Sequence, residues 1–95
     1  MAAMRKIDIP CRGLRSEAAF WNAYLDAVKP DGAGRFGRNL DAFRDALLGG
    51  GPGWPGECEL RLVDSTALSA LREGTFLERL EQIAGESESV RLILA

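Results

Sequence analysis

The side chains best placed to do chemistry in this chain are two aspartates, Asp41 and Asp45, spaced i and i+4. On a helix they project from the same face, one turn apart. Two carboxylates so placed form a two-pronged surface for a guanidinium or ammonium group. The plainer reading is a solvated helix face, on which like charges at this spacing cost ~0.2–0.5 kcal/mol. Arg35, Arg38 and Arg44 surround the pair. They offer either local salt bridges, each worth little when exposed, or a small cationic patch. No basic run accompanies them, which argues against nucleic acid as the ligand. The chain has no histidine, so the commonest general base and the commonest metal ligand are both missing.

Other candidate motifs fail on context. Gly32-x-Gly34-x-x-Gly37 matches the dinucleotide fingerprint literally, but that fingerprint must follow a strand directly, and this one follows a helix and Pro30. Its glycines read as a loop needing backbone freedom. The run Gly49 to Gly56 lacks the Gly-Lys-Ser/Thr ending of a phosphate cradle and reads as a mobile connection. Cys11 and Cys58 have no base to activate them and no second ligand nearby, so both are expected to be reduced and unbridged. Nothing in the spacing of the carboxylates supports a metal cluster. The residues imply neither catalysis nor a cofactor.

These side chains need elements to hold them. Lys6 to Ile9 alternates polar and apolar and predicts a strand ended by Pro10 and Gly13. Ser16 is a candidate N-cap for a helix whose Phe20, Trp21, Tyr24, Leu25 and Val28 form one apolar, core-facing stripe. Lys29 suits that helix's negative end and Pro30 stops it. After the Asp31–Gly37 loop, Asn39 caps a second helix with Leu40, Phe43 and Leu47 inward, helped by Ala42 and Ala46. Asp41 and Asp45 point away from that stripe. Cys58 to Asp64 is a second strand, with Glu59 and Arg61 on one face and Leu60 and Leu62 on the other. A short helical piece, Thr66 to Arg72, follows. Thr75-Phe76-Leu77-Glu78 reads as a capping box opening a helix with Phe76, Leu77, Leu80, Ile83 and Ala84 inward, closed by Gly85. Val90 to Leu94 is a third strand.

Strands separated by helical crossovers are expected to be parallel, with right-handed connections. Parallel strands covered on both faces read as continuous apolar runs. Here Lys6, Asp8, Glu59, Arg61 and Arg91 mark a wet face instead. The predicted fold is α/β: a two-layer sandwich, its three-stranded parallel sheet carrying helices on one face. With 95 residues and 46% apolar composition, one domain spanning residues 1–95 is expected. Charge is uneven: residues 1–40 carry a net +3 and residues 41–95 a net −5. An acidic C-terminal half favours a basic partner. Met1–Lys6 lacks the apolar run of a signal peptide, and no segment approaches the ~20 apolar residues that span a bilayer. A cytoplasmic protein without membrane contact is expected.

Phe36-Gly37-x-Asn39-Leu40-Asp41-Ala42-Phe43-x-Asp45 closely resembles the aromatic-Gly-x-Asn-Leu-Asp-Ala-Leu-x-Asp signature of the barstar-like ribonuclease inhibitors. Chain length and element order fit as well, from about Arg5 to Ala95. The resemblance implies a second helix that, with its preceding loop, plugs the active site of a microbial ribonuclease. It makes Asp41 and Asp45 mimics of the RNA phosphate. Gly37, Asn39, Leu40, Asp41, Ala42 and Asp45 match the family's contact positions in type. Arg35 stands where the family has an aromatic, Arg44 where it has a tryptophan, Leu48 in place of a threonine, and Gln82 near a glutamate. With Arg38 these make up the expected partner surface. The implied partner is a basic-grooved ribonuclease or related toxin, bound one to one by a monomer. Two alternatives stand beside this reading. One is an interaction domain or immunity protein of the same fold against a different toxin. The other is a small carboxylate enzyme, which lacks a nucleophile–base pair.

Overall fold

The computed structural model describes residues 5–95; Met1–Met4, part of the stretch expected to carry no signal peptide, lie outside the described residues. Strand β1 (Arg5–Pro10) leads to helix α1 (Glu17–Val28), helix α2 (Leu40–Gly49) and strand β2 (Cys58–Val63). Helix α3 (Thr75–Glu86) and strand β3 (Val90–Leu94) complete the order. The three strands form one sheet in the order β1-β2-β3, and both pairings are parallel, with Ile7 opposite Leu60 and Leu60 opposite Leu92. The predicted two-layer arrangement is the one observed.

Alternation explains it. Ile7, Ile9, Leu60, Leu62 and Val90 are buried beneath the helices, while Lys6, Asp8, Arg61 and Arg91 stay exposed. Full burial of one such aliphatic side chain stabilises the fold by ~1.5–3 kcal/mol. On the open face Lys6, Glu59 and Arg91 stand in register across all three strands. In the next outward row Asp8 and Arg61 are 3.7 Å apart. Opposite charges thus sit side by side on the wet face, where like charges would destabilise the sheet.

The core is centred on Trp21 of α1, which is fully buried. Five rings, Phe20, Tyr24, Phe36, Phe43 and Phe76, lie with centroids 5.0–6.2 Å from it. They come from α1, α2, α3 and the loop before α2, so one aromatic cluster joins all three helices. The Trp21 indole N–H has no acceptor among the described residues. Ser16 caps α1 as predicted, accepting from the Ala19 N–H at 3.1 Å.

Other details differ from expectation. The Asp31–Gly37 loop contains a 3-10 turn, Ala33–Arg35. The piece predicted at Thr66 to Arg72 is two 3-10 turns, Ser65–Leu68 and Leu71–Gly74. Helix α3 has no capping box: its N-cap is Gly74, at φ 91°, with no side-chain cap bond. The Thr75 hydroxyl instead donates back to the Arg72 carbonyl at 2.7 Å. The helix runs one residue past Gly85, to Glu86. The glycine-rich connection is tied to α1 at one point, where the Tyr24 hydroxyl donates to the Gly53 carbonyl at 2.8 Å. A Cβ on Gly53 would sit 2.4 Å from the Phe36 ring, so only glycine lets the loop close on that ring.

Candidate functional site

The site is built from the N-terminus of α2 outward. Asn39 is its N-cap; its side-chain oxygen accepts from the Ala42 N–H at 2.7 Å, and its amide donates to the Gly37 carbonyl at 3.2 Å. A Cβ on Gly37 would approach that of Ala42 to 3.1 Å, so the turn packs tightly onto the helix. Arg38 between them has a left-handed backbone, φ 52°, a conformation that costs a non-glycine residue ~1–2 kcal/mol. Buried Phe36 anchors the turn from behind, its ring 5.5 Å from Trp21 and 5.7 Å from Tyr24. Phe43, one turn into α2, lies 5.4 Å from Trp21 and 5.6 Å from Tyr24. The helix and its leading turn are therefore held on a rigid aromatic base.

Asp41 and Asp45 lie on the outer side of α2 and are exposed. Among the described residues no cation stands within ion-pair distance of either. Arg44, between them in sequence, does not pair with them; its Nη1 meets Glu86 Oε2 of α3 at 2.5 Å. Asp41, Arg44 and Gln82 line one notch of about 60 Å³ between α2 and α3, with Leu40 and Ile83 beneath and Arg79 on its rim. Arg79 was not singled out from the sequence. Only the packing of α3 beside α2 brings it there.

The remaining predicted residues are distributed around this centre. Leu40 is 5% exposed and belongs to the core, so it shapes the notch floor and offers little contact area. Ala42 is half-buried beneath the Gly37 turn. Arg35 lies towards the other end of α2, in a cleft of about 430 Å³ shared with Asp31, the Gly50–Pro52 backbone and Trp54. That cleft adjoins Asp45, whose carbonyl accepts from the Gly51 N–H at 3.4 Å. Leu48, 42% exposed, lines a separate groove with Leu47 and the Glu86–Ser89 segment and does not share a recess with the aspartates.

The two thiols contribute no reactive group here. Cys11 and Cys58 are buried and free. Burial, reinforced by the Asp64 charge, pushes the Cys11 thiol up to about 11. Burial also raises Cys58, which Arg5 only partly offsets. Cys58 stands opposite Arg5, whereas Cys11 follows Pro10 at the other end of the sheet. Six strand residues separate those ends by ~20 Å, far beyond disulfide reach. Among the described residues no three metal-ligating side chains converge, and no helix is long and apolar enough to cross a membrane.

The fold is thus a small parallel α/β sandwich whose helix α2 presents two exposed carboxylates with no ion-pair partner among the described residues. A family model, Barstar (barnase inhibitor), matches residues 4–91 of the 95. The chain belongs to the barstar family. Comparison with curated proteins returns no match.

Proposed function

We propose that this protein is an inhibitor of a microbial ribonuclease. In this reading, helix α2 and the Gly37–Asn39 turn enter the enzyme's cationic groove. Asp41 and Asp45 occupy the place of the RNA phosphate. The observation that carries the reading is the state of the two carboxylates: exposed, one turn apart, and with no cationic partner within the described chain. Their counter-charges are left for a partner to supply. Preorganisation supports it, because a helix already fixed by the Asn39 cap and the aromatic base loses little freedom on binding. The protein acts as a monomer in a one-to-one complex, in the cytoplasm of the cell that makes the enzyme, and has no turnover of its own.

The test is inhibition of a panel of purified microbial ribonucleases by the wild type and by Asp41→Ala, Asp45→Ala and the double variant. Each truncation leaves a desolvated cation of the enzyme without its counter-charge. We expect a loss of at least ~2 kcal/mol, or about 30-fold in Kd, for each. The fold should persist, since neither side chain belongs to the core. A double variant that inhibits as well as the wild type would remove the two aspartates from the site. Absence of inhibition by the wild type across the panel would remove the function. A second reading, immunity against a different toxin, rests on Arg35 and Arg44, which make the face less acidic than the family pattern.

A further inference from the structure

We propose that the partner's cationic groove is rimmed by carboxylates, so that this inhibitor selects enzymes with a basic centre and an acidic border. The inference rests on the inhibitor reading above and concerns what surrounds its centre. Two exposed guanidiniums stand near the start of α2, where Asp41 lies, on different supports. Arg38 sits in the turn before α2, and Arg79 on α3 borders the same notch as Asp41. Neither has a carboxylate within ion-pair distance among the described residues. Arg44 differs from both, because Glu86 already neutralises it.

The surface is therefore a mosaic, negative in the middle and positive at its edges. Arg38 is held in its left-handed turn by the neighbouring Asn39 bonds, so its starting point is fixed. A uniformly basic groove closing over α2 would satisfy the aspartates but press like charges against Arg38 and Arg79. Such juxtaposition opposes association and suppresses wrong partners. Carboxylates on the rim turn both contacts into charge-assisted hydrogen bonds, for which a planar guanidinium is suited. Arg35 extends the same pattern on the far side, where Asp31 lines its cleft without reaching ion-pair distance.

The experiment uses the full chain and purified microbial ribonucleases that share a cationic active site and differ in rim charge. Association rates are measured by stopped flow at low and physiological salt for the wild type, Arg38→Glu, Arg79→Glu and the double reversal. The wild type should associate at least ~10-fold faster with acid-rimmed enzymes than with base-rimmed ones, and the double reversal should invert that order. The Arg38→Gln/Arg79→Gln variant, which removes charge without reversing it, should abolish the preference and serves if the reversal does not fold. A wild type that prefers base-rimmed enzymes, or a preference untouched by either double variant, overturns the proposal. If inhibition still depends on Asp41 and Asp45 in that case, the inhibitor reading survives and only the acidic rim is lost. If no enzyme is inhibited at all, both fall.

Discussion

Helices α2 and α3 lie side by side, each with a buried stripe and a charged outer face, yet they begin in opposite ways. Helix α2 starts with a side-chain cap, Asn39 onto Ala42, behind a turn packed on buried Phe36. Helix α3 starts after three successive left-handed residues, Arg72 at φ 49°, Glu73 at φ 55° and Gly74 at φ 91°, with no side-chain cap. At the start of α2 Arg38 alone among the non-glycine residues is left-handed, and beside it the Asn39 side chain accepts from the Ala42 N–H and donates to the Gly37 carbonyl. The difference shows where rigidity has been placed. The end that carries the aspartates, unpaired among the described residues, is over-determined, while the neighbouring helix serves as a wall, supplying Gln82 and Arg79 to the notch and Glu86 to Arg44.

The largest way to break this contrast is to remove the brace behind α2. Gly53→Ala places a Cβ 2.4 Å from Phe36 at a backbone φ of 92°. The clash and the left-handed alanine together should cost roughly 2–4 kcal/mol. Gly13→Ala is the control, because Gly13 also has positive φ, 82°, but nothing within 4 Å of its added Cβ. It should cost only ~1–2 kcal/mol. Chemical denaturation of the two variants separates the terms. Equal losses would show that Gly53 is needed for its backbone alone, and that the loop does not hold Phe36.

What could be read in the sequence was local. The period-two alternation of Ile7, Ile9, Leu60 and Leu62 identified strands and their wet face because each residue reports its own side. Asn39 was legible as a cap because the bond it makes is three residues away. The pairings that shape the site are not of that kind. Arg44 reaches Glu86 across 42 residues and Tyr24 reaches Gly53 across 29. Neither spacing has any periodic signature, so Arg44 reads as a companion of the aspartates, and the tether on the glycine-rich run leaves no mark in the sequence. Arg79 was invisible for the same reason. The capping box at Thr75 misled because the motif was present but Gly74 had already taken the cap position in a left-handed conformation. That turned the Thr75 hydroxyl back towards Arg72.

A pair of truncations tests that correction and sharpens the contrast between the helix starts. Asn39→Ala deletes the acceptor of the Ala42 N–H and the donor to Gly37, and should cost ~1 kcal/mol, within the 0.5–2 kcal/mol known for such caps. Thr75→Ala deletes only an exposed hydroxyl bonded to a carbonyl, and should stay within ~0.5 kcal/mol of the wild type. Comparable losses at both positions would restore the capping box. Asn39→Ala should also weaken inhibition beyond its effect on stability, since it loosens the turn that positions Arg38 and Asp41.

The last effect is small and of opposite sign. Glu73 is exposed and makes no side-chain hydrogen bond or ion pair among the described residues. Its neighbour Arg72, also left-handed, pairs with Glu17 at 2.6 Å. A left-handed backbone costs a non-glycine residue ~1–2 kcal/mol, whereas glycine adopts it freely at an entropic cost of ~0.5–1 kcal/mol in the unfolded chain. Glu73→Gly should therefore stabilise the protein by ~0.5 kcal/mol, raising Tm by about 2–4 °C for a chain of this size. Arg38→Gly, at nearly the same φ of 52°, should give a similar thermal gain, because the strain relieved is the same. The two variants must then part in the binding assay. Glu73→Gly should inhibit as the wild type does, while Arg38→Gly loses a guanidinium and frees the turn before α2. A Tm that falls in Glu73→Gly would mean that the start of α3 depends on that carboxylate, and the contrast between a built end and a merely tolerated one would not hold.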